Sequence, residues 1–412
     1  MEKYSSDTES NAPIETQGIT LLSWIFGVCL FSFLYETLLP VTPHLTSLFP
    51  STTGQNSEPL VWLMTGVAIG TLVGGTVSDR FGRRNTLLVA LVIATLGSLV
   101  SFVLKENWSA LISGRFLAGS GSGAALVLCR VALREECDIS RQLLVSSYLS
   151  LSVALTTITS PLLGNWTFTA FGLRGLLLLN LASSGVVLLI ALNGFKETQK
   201  IQRGQHGLAH LFSNVGLLLR DPHFLLVTGI VTLAWLIFVL LGASLPTLLQ
   251  ERFKFSRQGY AVSTAFAYLA YFAGIRTSRK ILTNIDPYSQ LTYATSMLVL
   301  MFGIVIFYVT QSEFSAWIFI GMVACIYVLL GLVLPLTQTL VMRDEYSNFG
   351  LVASLFYFTE LLSGAMALLG FSGLQGDLLI RLVIACLFTA TVLFVFSIGL
   401  AACARQKNCQ RH

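Results

Sequence analysis

Long apolar runs alternate with short polar breaks along almost the whole chain. Residues 142–173, 287–312 and 314–342 each pass without a charged side chain, and each exceeds the roughly 20 residues a helix needs to cross a bilayer. A window of about 19 residues places apolar spans near 18–41, 59–79, 85–104, 108–131, 143–166 and 174–195, then near 223–247, 258–276, 290–310, 314–341, 349–370 and 379–403. Between these two sets of six lies a polar stretch from Lys196 to Asp221, the longest interruption after the N-terminal tail. A six-plus-six division is what two structural repeats give. The expected organisation is an N-terminal tail (1–17), a six-helix bundle (18–195), a linker (196–222), a second six-helix bundle (223–404) and a C-terminal tail (405–412). The predicted fold class is all-α, a membrane protein with twelve transmembrane helices in two six-helix bundles. Within the linker, Leu208 to Leu219 is amphipathic and reads as a helical connector.

Composition agrees with insertion. The chain is 54% hydrophobic and 11% charged, where a soluble domain carries about 25% charged residues. The net charge of +5 gains its meaning from placement. With the N-terminus in the cytoplasm, 18 of the 25 Lys and Arg residues fall inside, six outside, and Arg115 within the membrane. By the positive-inside rule both termini are then cytoplasmic, and the charge implies no nucleic-acid partner. Arg252, Lys254 and Arg257 form the one loop that argues otherwise. The seven cysteines show no CxxC spacing and mostly sit in apolar runs, so they read as packing residues. No metal or cofactor is expected. The acidic stretch before the first span lacks a basic n-region, so that span reads as retained.

Between the second and third spans stands GTVSDRFGRR, residues 75–84. It matches the G-x-x-x-D-R-x-G-R-R loop of the major facilitator superfamily, on the side where the charge count puts this loop. The fourth span carries RFLAGSGSGA (115–124), similar to the R-F-x-Q signature of proton-linked drug exporters, with Ala118 in place of the usual Gln. The fifth holds SPLLGNW (160–166) and is followed by FGLRG (171–175), and the seventh holds LGASLP (241–246), all similar to segments of the bicyclomycin-resistance type of drug:proton antiporter. In the second half the loop motif shrinks to GIR (274–276). The resemblance implies a transporter with a conformational switch loop built from Gly75, Asp79, Arg80, Gly82, Arg83 and Arg84. Gly82 would permit the tight turn, and Asp79 would face the N-terminus of helix eleven near Asn348 to Gly350. Pro161 and Gly164 would bend helix five. The serial glycines of helix four lie mid-span, where small residues allow close helix approach, so a dinucleotide fingerprint is excluded.

Ionisable groups inside a bilayer are expensive and are functional candidates by default. Glu36 lies toward the outer end of the first span, where exporters of the resembled type carry a membrane acid. Arg115 in the fourth span could bias that carboxyl, pair with it, or hold an anion. Glu360, in the eleventh, gives the second half an acid of its own. Glu36, Arg115 and Glu360 are therefore the expected proton-coupling set. Ser32, Phe33, Tyr35, Ser122, Trp235, Phe238 and Tyr357 are candidates for a central cavity, as is Trp62, although aromatics also serve as packing or interface anchors. His44 reads as a loop histidine.

The functional expectation is a secondary active transporter, a proton-coupled antiporter exporting a small amphipathic or cationic compound by alternating access. It would act as a monomer in the bacterial inner membrane, with the substrate, protons and the lipid bilayer as its partners. The alternatives are an importer of a nutrient or metallophore, proton-coupled or facilitative, and a non-transporting membrane sensor. With no HExxH, GxSxG or metal-ligand spacing, the chain is not expected to be an enzyme.

Overall fold

A computed structural model describes residues 14–49, 57–137, 139–198, 215–216, 218–281, 285–310, 315–341, 349–372 and 376–410. Among these residues all regular structure is helical. The first half holds α1 (Ile14–Glu36), α2 (Glu58–Phe81), α3 (Arg83–Val103) and α4 (Trp108–Glu136), then the continuous stretch Ile139–Gly194. That stretch is two helices, α5 (139–171) and α6 (173–194), hinged at Gly172 with φ 63° and ψ −162°. A Cβ at Gly172 would meet nothing within 4 Å, so conformation selects the glycine here: this φ/ψ pair is open essentially to Gly alone. The second half holds α7 (Pro222–Thr247), α8 (Arg257–Ile281), α9 (Pro287–Val309), α10 (Ala316–Val341), α11 (Phe349–Ser372) and α12 (Leu378–Gln410).

Ten helical stretches among the described residues are long and apolar enough to cross a membrane, and one of them, Leu151–Gly194, is 44 residues long and takes in most of α5 and all of α6. α8 falls outside that set because it carries Tyr260, Thr264, Tyr268 and Tyr271 at helical spacing, a polar stripe turned inward. Counting α5 and α6 separately and adding α8 gives the twelve expected helices. Large apolar side chains such as Trp317, Phe388 and Phe171 are among the most exposed residues and form the lipid-facing surface.

Within the first half, α4 packs on α2 and α3, and α1 packs on the α5–α6 stretch; within the second, α8 packs on α10 and α9 on α12. Apolar side chains gain little from leaving lipid for protein, so helix association here depends on close packing. Gly66 and Gly70 of α2 lie against the backbone of Phe116 and Ser120 in α4. The halves meet along two seams, α2 against α11 and the α5–α6 stretch against α8. At the first seam Gly75 sits directly on Ser354.

The C-terminal ends of α1 and α7 leave the α-helical path. After Glu36 the chain tightens into a 3-10 turn, Leu39–His44, containing Pro40 and Pro43. α7, with Pro246 inside it, ends in a π turn, Leu248–Arg252. The 3-10 turn packs across the halves on α7. His44, expected in a loop, closes that turn and stacks on Phe168 at 6.2 Å. The connector expected over 208–219 falls largely outside the described residues.

Candidate functional site

Two carboxylates, one in each half, are buried among the described residues. Glu36, 3% exposed at the end of α1, accepts a hydrogen bond from Tyr268 Oη of α8 at 2.8 Å. The bond joins the two halves. Tyr35, Tyr260 and Tyr327 lie within electrostatic reach of the same carboxylate, and all three are buried. Below this cluster Phe238 of α7 is the hub of an aromatic stack. Trp235 is parallel to it at 5.2 Å, and Tyr268, Tyr271 and Tyr327 lie at 6.0, 5.5 and 5.2 Å. A carboxylate beside several ring faces suits an organic cation, which the rings attract through their quadrupoles.

Glu360 of α11, 4% exposed, lies within electrostatic reach of Arg130 and Tyr271. Arg130 of α4 donates to Tyr357 Oη and places its guanidinium 4.8 Å from the centre of that ring. Tyr357 and Glu360 are one helical turn apart, so α4 and α11 join the halves a second time next to the second acid.

Arg115, 2% exposed, makes no ion pair with Glu36 among the described residues. With the Asn180 amide assigned in the orientation that satisfies both ends, its oxygen accepts from Arg115 Nη1 and Nη2 at 3.1 and 3.0 Å, and its nitrogen donates to Thr37 Oγ1 at 3.0 Å. Arg115 therefore reaches α1 through α6, arriving at the residue next to Glu36. Of the readings left open for Arg115, direct pairing with Glu36 is not what the described residues show; this relay stands in its place.

The other expected cavity residues divide. Tyr35, Trp235, Phe238 and Tyr357 sit in the central clusters just described. Ser32 and Phe33 are half-buried on α1, while Ser122 is buried and donates to Gly119 O within its own helix. Trp62 is 43% exposed and meets Phe116 edge-on, which places it on the lipid face. In α5 the helix runs on through Pro161, and the non-helical residue of the stretch Ile139–Gly194 is Gly172. Gly164 lies against the backbone of Thr37, just past α1, where a Cβ would collide.

In the 75–84 loop, Gly82 has φ 90° and ψ 153°, as the tight turn requires. Arg83 is buried and pairs with Asp79 at 2.6 Å and Glu135 of α4 at 2.9 Å, and it also donates to Ser78. Arg80 is exposed and lies over Phe81. Asp79 meets Arg83; of the expected partner region, Asn348 to Gly350, Asn348 lies outside the described residues. Glu197, just past α6, accepts from the backbone N–H groups of Arg83 and Arg84 at 2.9 and 3.1 Å. Arg84 in return donates to the carbonyls of Phe195 and Leu192 at 3.0 and 3.1 Å. Each side chain caps the other's helix end, acid at the N-terminus and base at the C-terminus, as the helix dipoles favour.

At the opposite end, Arg252 pairs with Asp377 at 2.6 Å, which accounts for one member of the basic cluster that ran against the orientation rule. Partial burial pushes the Asp377 carboxyl up, but the N–H groups of Ile380 and Leu379 and the Arg252 guanidinium outweigh it and hold the carboxyl below its ordinary value.

Sequence reasoning missed Tyr260, Tyr268, Tyr271, Tyr327 and Asn180, and placed Arg130 among the cytoplasmic charges. The available signal was the stripe Tyr260, Thr264, Tyr268 and Tyr271, polar positions every three or four residues in an otherwise apolar span.

Two helical bundles with buried acids at their interface define a membrane transporter fold. A profile of the Major Facilitator Superfamily matches residues 24–368, and the chain belongs to that family. It is similar to the multidrug resistance protein MdtL of Salmonella heidelberg, 28% identical over 202 residues, which is 49% of this chain and 51% of that protein. MdtL of Salmonella typhimurium is 27% identical over the same extent. The match thus spans about half the length of these relatives. Among solved structures, a D-xylose-proton symporter superposes with TM-score 0.72 at 14% identity, covering 92% of this chain and 97% of that one. The human organic anion transporter MFSD10 superposes with TM-score 0.69 at 18% identity, covering 94% and 99%. At these identities the structural likeness concerns the fold.

Proposed function

We propose that the protein is a proton-coupled exporter of small amphipathic cations, working by alternating access in a bacterial cytoplasmic membrane with both termini in the cytoplasm. The observation that carries this reading is Glu36, a buried carboxylate held across the seam between the halves by Tyr268 at 2.8 Å. One carboxylate in a dry site holds a proton or a cation, and each displaces the other. That exclusion is the whole requirement for exchange. Trp235 and Phe238 supply apolar faces for the body of such a substrate. Glu360, beside Arg130 and Tyr357, is a second acid at a second contact between the halves. The name of the MdtL relatives supports export of drug-like compounds, and the excess of basic residues on one side supports the orientation.

The test is reconstitution into proteoliposomes with an internal pH dye and an imposed proton gradient. Adding lipophilic cations should move protons opposite to the cation in wild type and leave a Glu36→Gln protein silent. Co-movement of protons with organic anions or neutral nutrients, with no response to cations, would replace export by import.

A further inference from the structure

Glu36 stands where α1 stops holding itself. The last i→i−4 bond of the helix runs from Thr37 N to Phe33 O at 3.1 Å, and Leu38 N then bonds to Tyr35 O at 3.2 Å as the chain tightens. Residue 40, whose N–H would meet Glu36 O in a continued α-helix, is a proline and has none. The direction of the carboxylate therefore depends on contacts from outside α1.

Those contacts fall on the next residue, Thr37, which is fully buried. Gly164 of α5 lets the Thr37 backbone lie where a Cβ would otherwise stand. The Thr37 hydroxyl donates its one proton to Phe33 O at 2.8 Å, which leaves its oxygen to accept. Asn180 of α6 donates to that oxygen at 3.0 Å, while its own amide oxygen accepts from Arg115 Nη1 and Nη2 at 3.1 and 3.0 Å. Only one orientation of the amide satisfies this chain, and the arginine enforces it. A leucine at 180 could neither accept nor donate, and an ionised aspartate could not donate to Thr37. Asparagine is a weak helix former and a buried amide is costly unless bonded, so its place within α6, 1% exposed, calls for a purpose. Gly164, Asn180 and Arg115 all belong to the first half, while Glu36 beside Thr37 reaches Tyr268 in the second.

We propose that Asn180 and Thr37 are positioning residues for Glu36: they mount the end of α1 on the first half and so aim the carboxylate across the seam at Tyr268. The assignment rests on the reading of Glu36 as the exchanging carboxylate and deepens it. Arg115 acts on the acid through the amide.

The experiment repeats one double-mutant cycle, Glu36→Gln with Tyr268→Phe in denaturant stability, in three versions of the full-length protein in detergent: wild type, Thr37→Val and Thr37→Ser. Valine keeps the shape of threonine, leaves the bond between Arg115 and Asn180 in place, and removes the hydroxyl; serine restores it. The coupling seen in wild type should fall by about half or more in Thr37→Val and keep its size in Thr37→Ser. Asn180→Ala should act as Thr37→Val does; because it also bares Arg115 it can fail to fold, and the Thr37 pair then decides. A merely structural role would lower every corner of the cycle alike, so an unchanged coupling in Thr37→Val overturns the proposal, as does the absence of coupling in wild type. Equilibrium dialysis with tetraphenylphosphonium gives the functional readout: with a hydrogen bond's net worth lost, binding should weaken about fivefold in Thr37→Val and stay within about twofold of wild type in Thr37→Ser. Equal affinity in wild type and Thr37→Val contradicts the positioning role. If wild type binds no tetraphenylphosphonium the cation reading fails, and a coupling that still falls in Thr37→Val upholds the positioning of Glu36 without it.

Discussion

Tyr268 of α8 donates its hydroxyl to Glu36 of α1 at 2.8 Å, a single hydrogen bond between side chains 232 positions apart in the chain and in opposite halves of the molecule. Such a bond can persist only while the halves are together at that level. A proton or a cation on the carboxylate competes with it, and that links occupancy to the arrangement of the bundles.

A double-mutant cycle measures this link. Hydrogen bonds to charged groups contribute about 1.5–3 kcal/mol, so Glu36→Gln and Tyr268→Phe should show a coupling of about that size in thermal or denaturant stability. Effects that add within about 0.5 kcal/mol would mean the two residues do not communicate.

The two arginines at 80 and 83 should behave differently although one motif contains both. Arg83 is buried between Asp79 and Glu135; its replacement by Ala strands partly buried carboxylates and should cost about 2 kcal/mol or more. Arg80 is exposed, and its replacement should stay within about 0.5 kcal/mol. Melting curves of the two variants decide it, and equal losses would contradict the assignment.

Glu197 should protect the start of α3. Removing a helix cap costs about 1 kcal/mol, so Glu197→Ala should speed amide exchange at Arg83 and Arg84 about fivefold. Exchange confined to wild-type rates would show that the capping contacts at 2.9 and 3.1 Å carry no weight.

The Arg252–Asp377 ion pair predicts a pH dependence. The folded-state value of Asp377 lies below its ordinary one. Its contribution is therefore fully present above the unfolded value, about 3.9, and is lost as pH falls through the lower folded value. Arg252 and Asp377 are both more than 40% exposed as side chains, so the pair is worth about 0.2–1 kcal/mol after solvent screening. Asp377→Asn should lower the melting temperature slightly and equally at pH 5 and pH 7, with the difference closing below pH 4. A difference that grows on acidification would reverse the sign.

How much of this was legible in the sequence follows from the kind of signal each feature leaves. The bundles were readable because bilayer spans need uninterrupted apolar runs, and the 75–84 loop because its glycine and charges are local. α5 and α6 were separable because 167–175 breaks the run, although the break itself proved to be Gly172 and the spacing could not say so. The two acids announced themselves as charges in apolar context. Their partners did not, because Tyr268 and Asn180 meet Glu36 and Arg115 only through the rotation of helices from distant parts of the chain. A tyrosine in a membrane helix reads the same whether it faces lipid, a core or a carboxylate. Arg130 was counted only as a topology charge, although the expected span 108–131 contained it, because nothing local in the sequence tells that its guanidinium meets Tyr357 of α11.

The most direct measurement is proton release on substrate binding in weakly buffered detergent solution, comparing wild type, Glu36→Gln and Glu360→Gln with an amphipathic cation that wild type binds. If Glu36 is the shared site for proton and cation, wild type and Glu360→Gln release about one proton per cation bound, in keeping with one carboxylate exchanging one charge, and Glu36→Gln releases none. Undiminished release from Glu36→Gln would contradict the account.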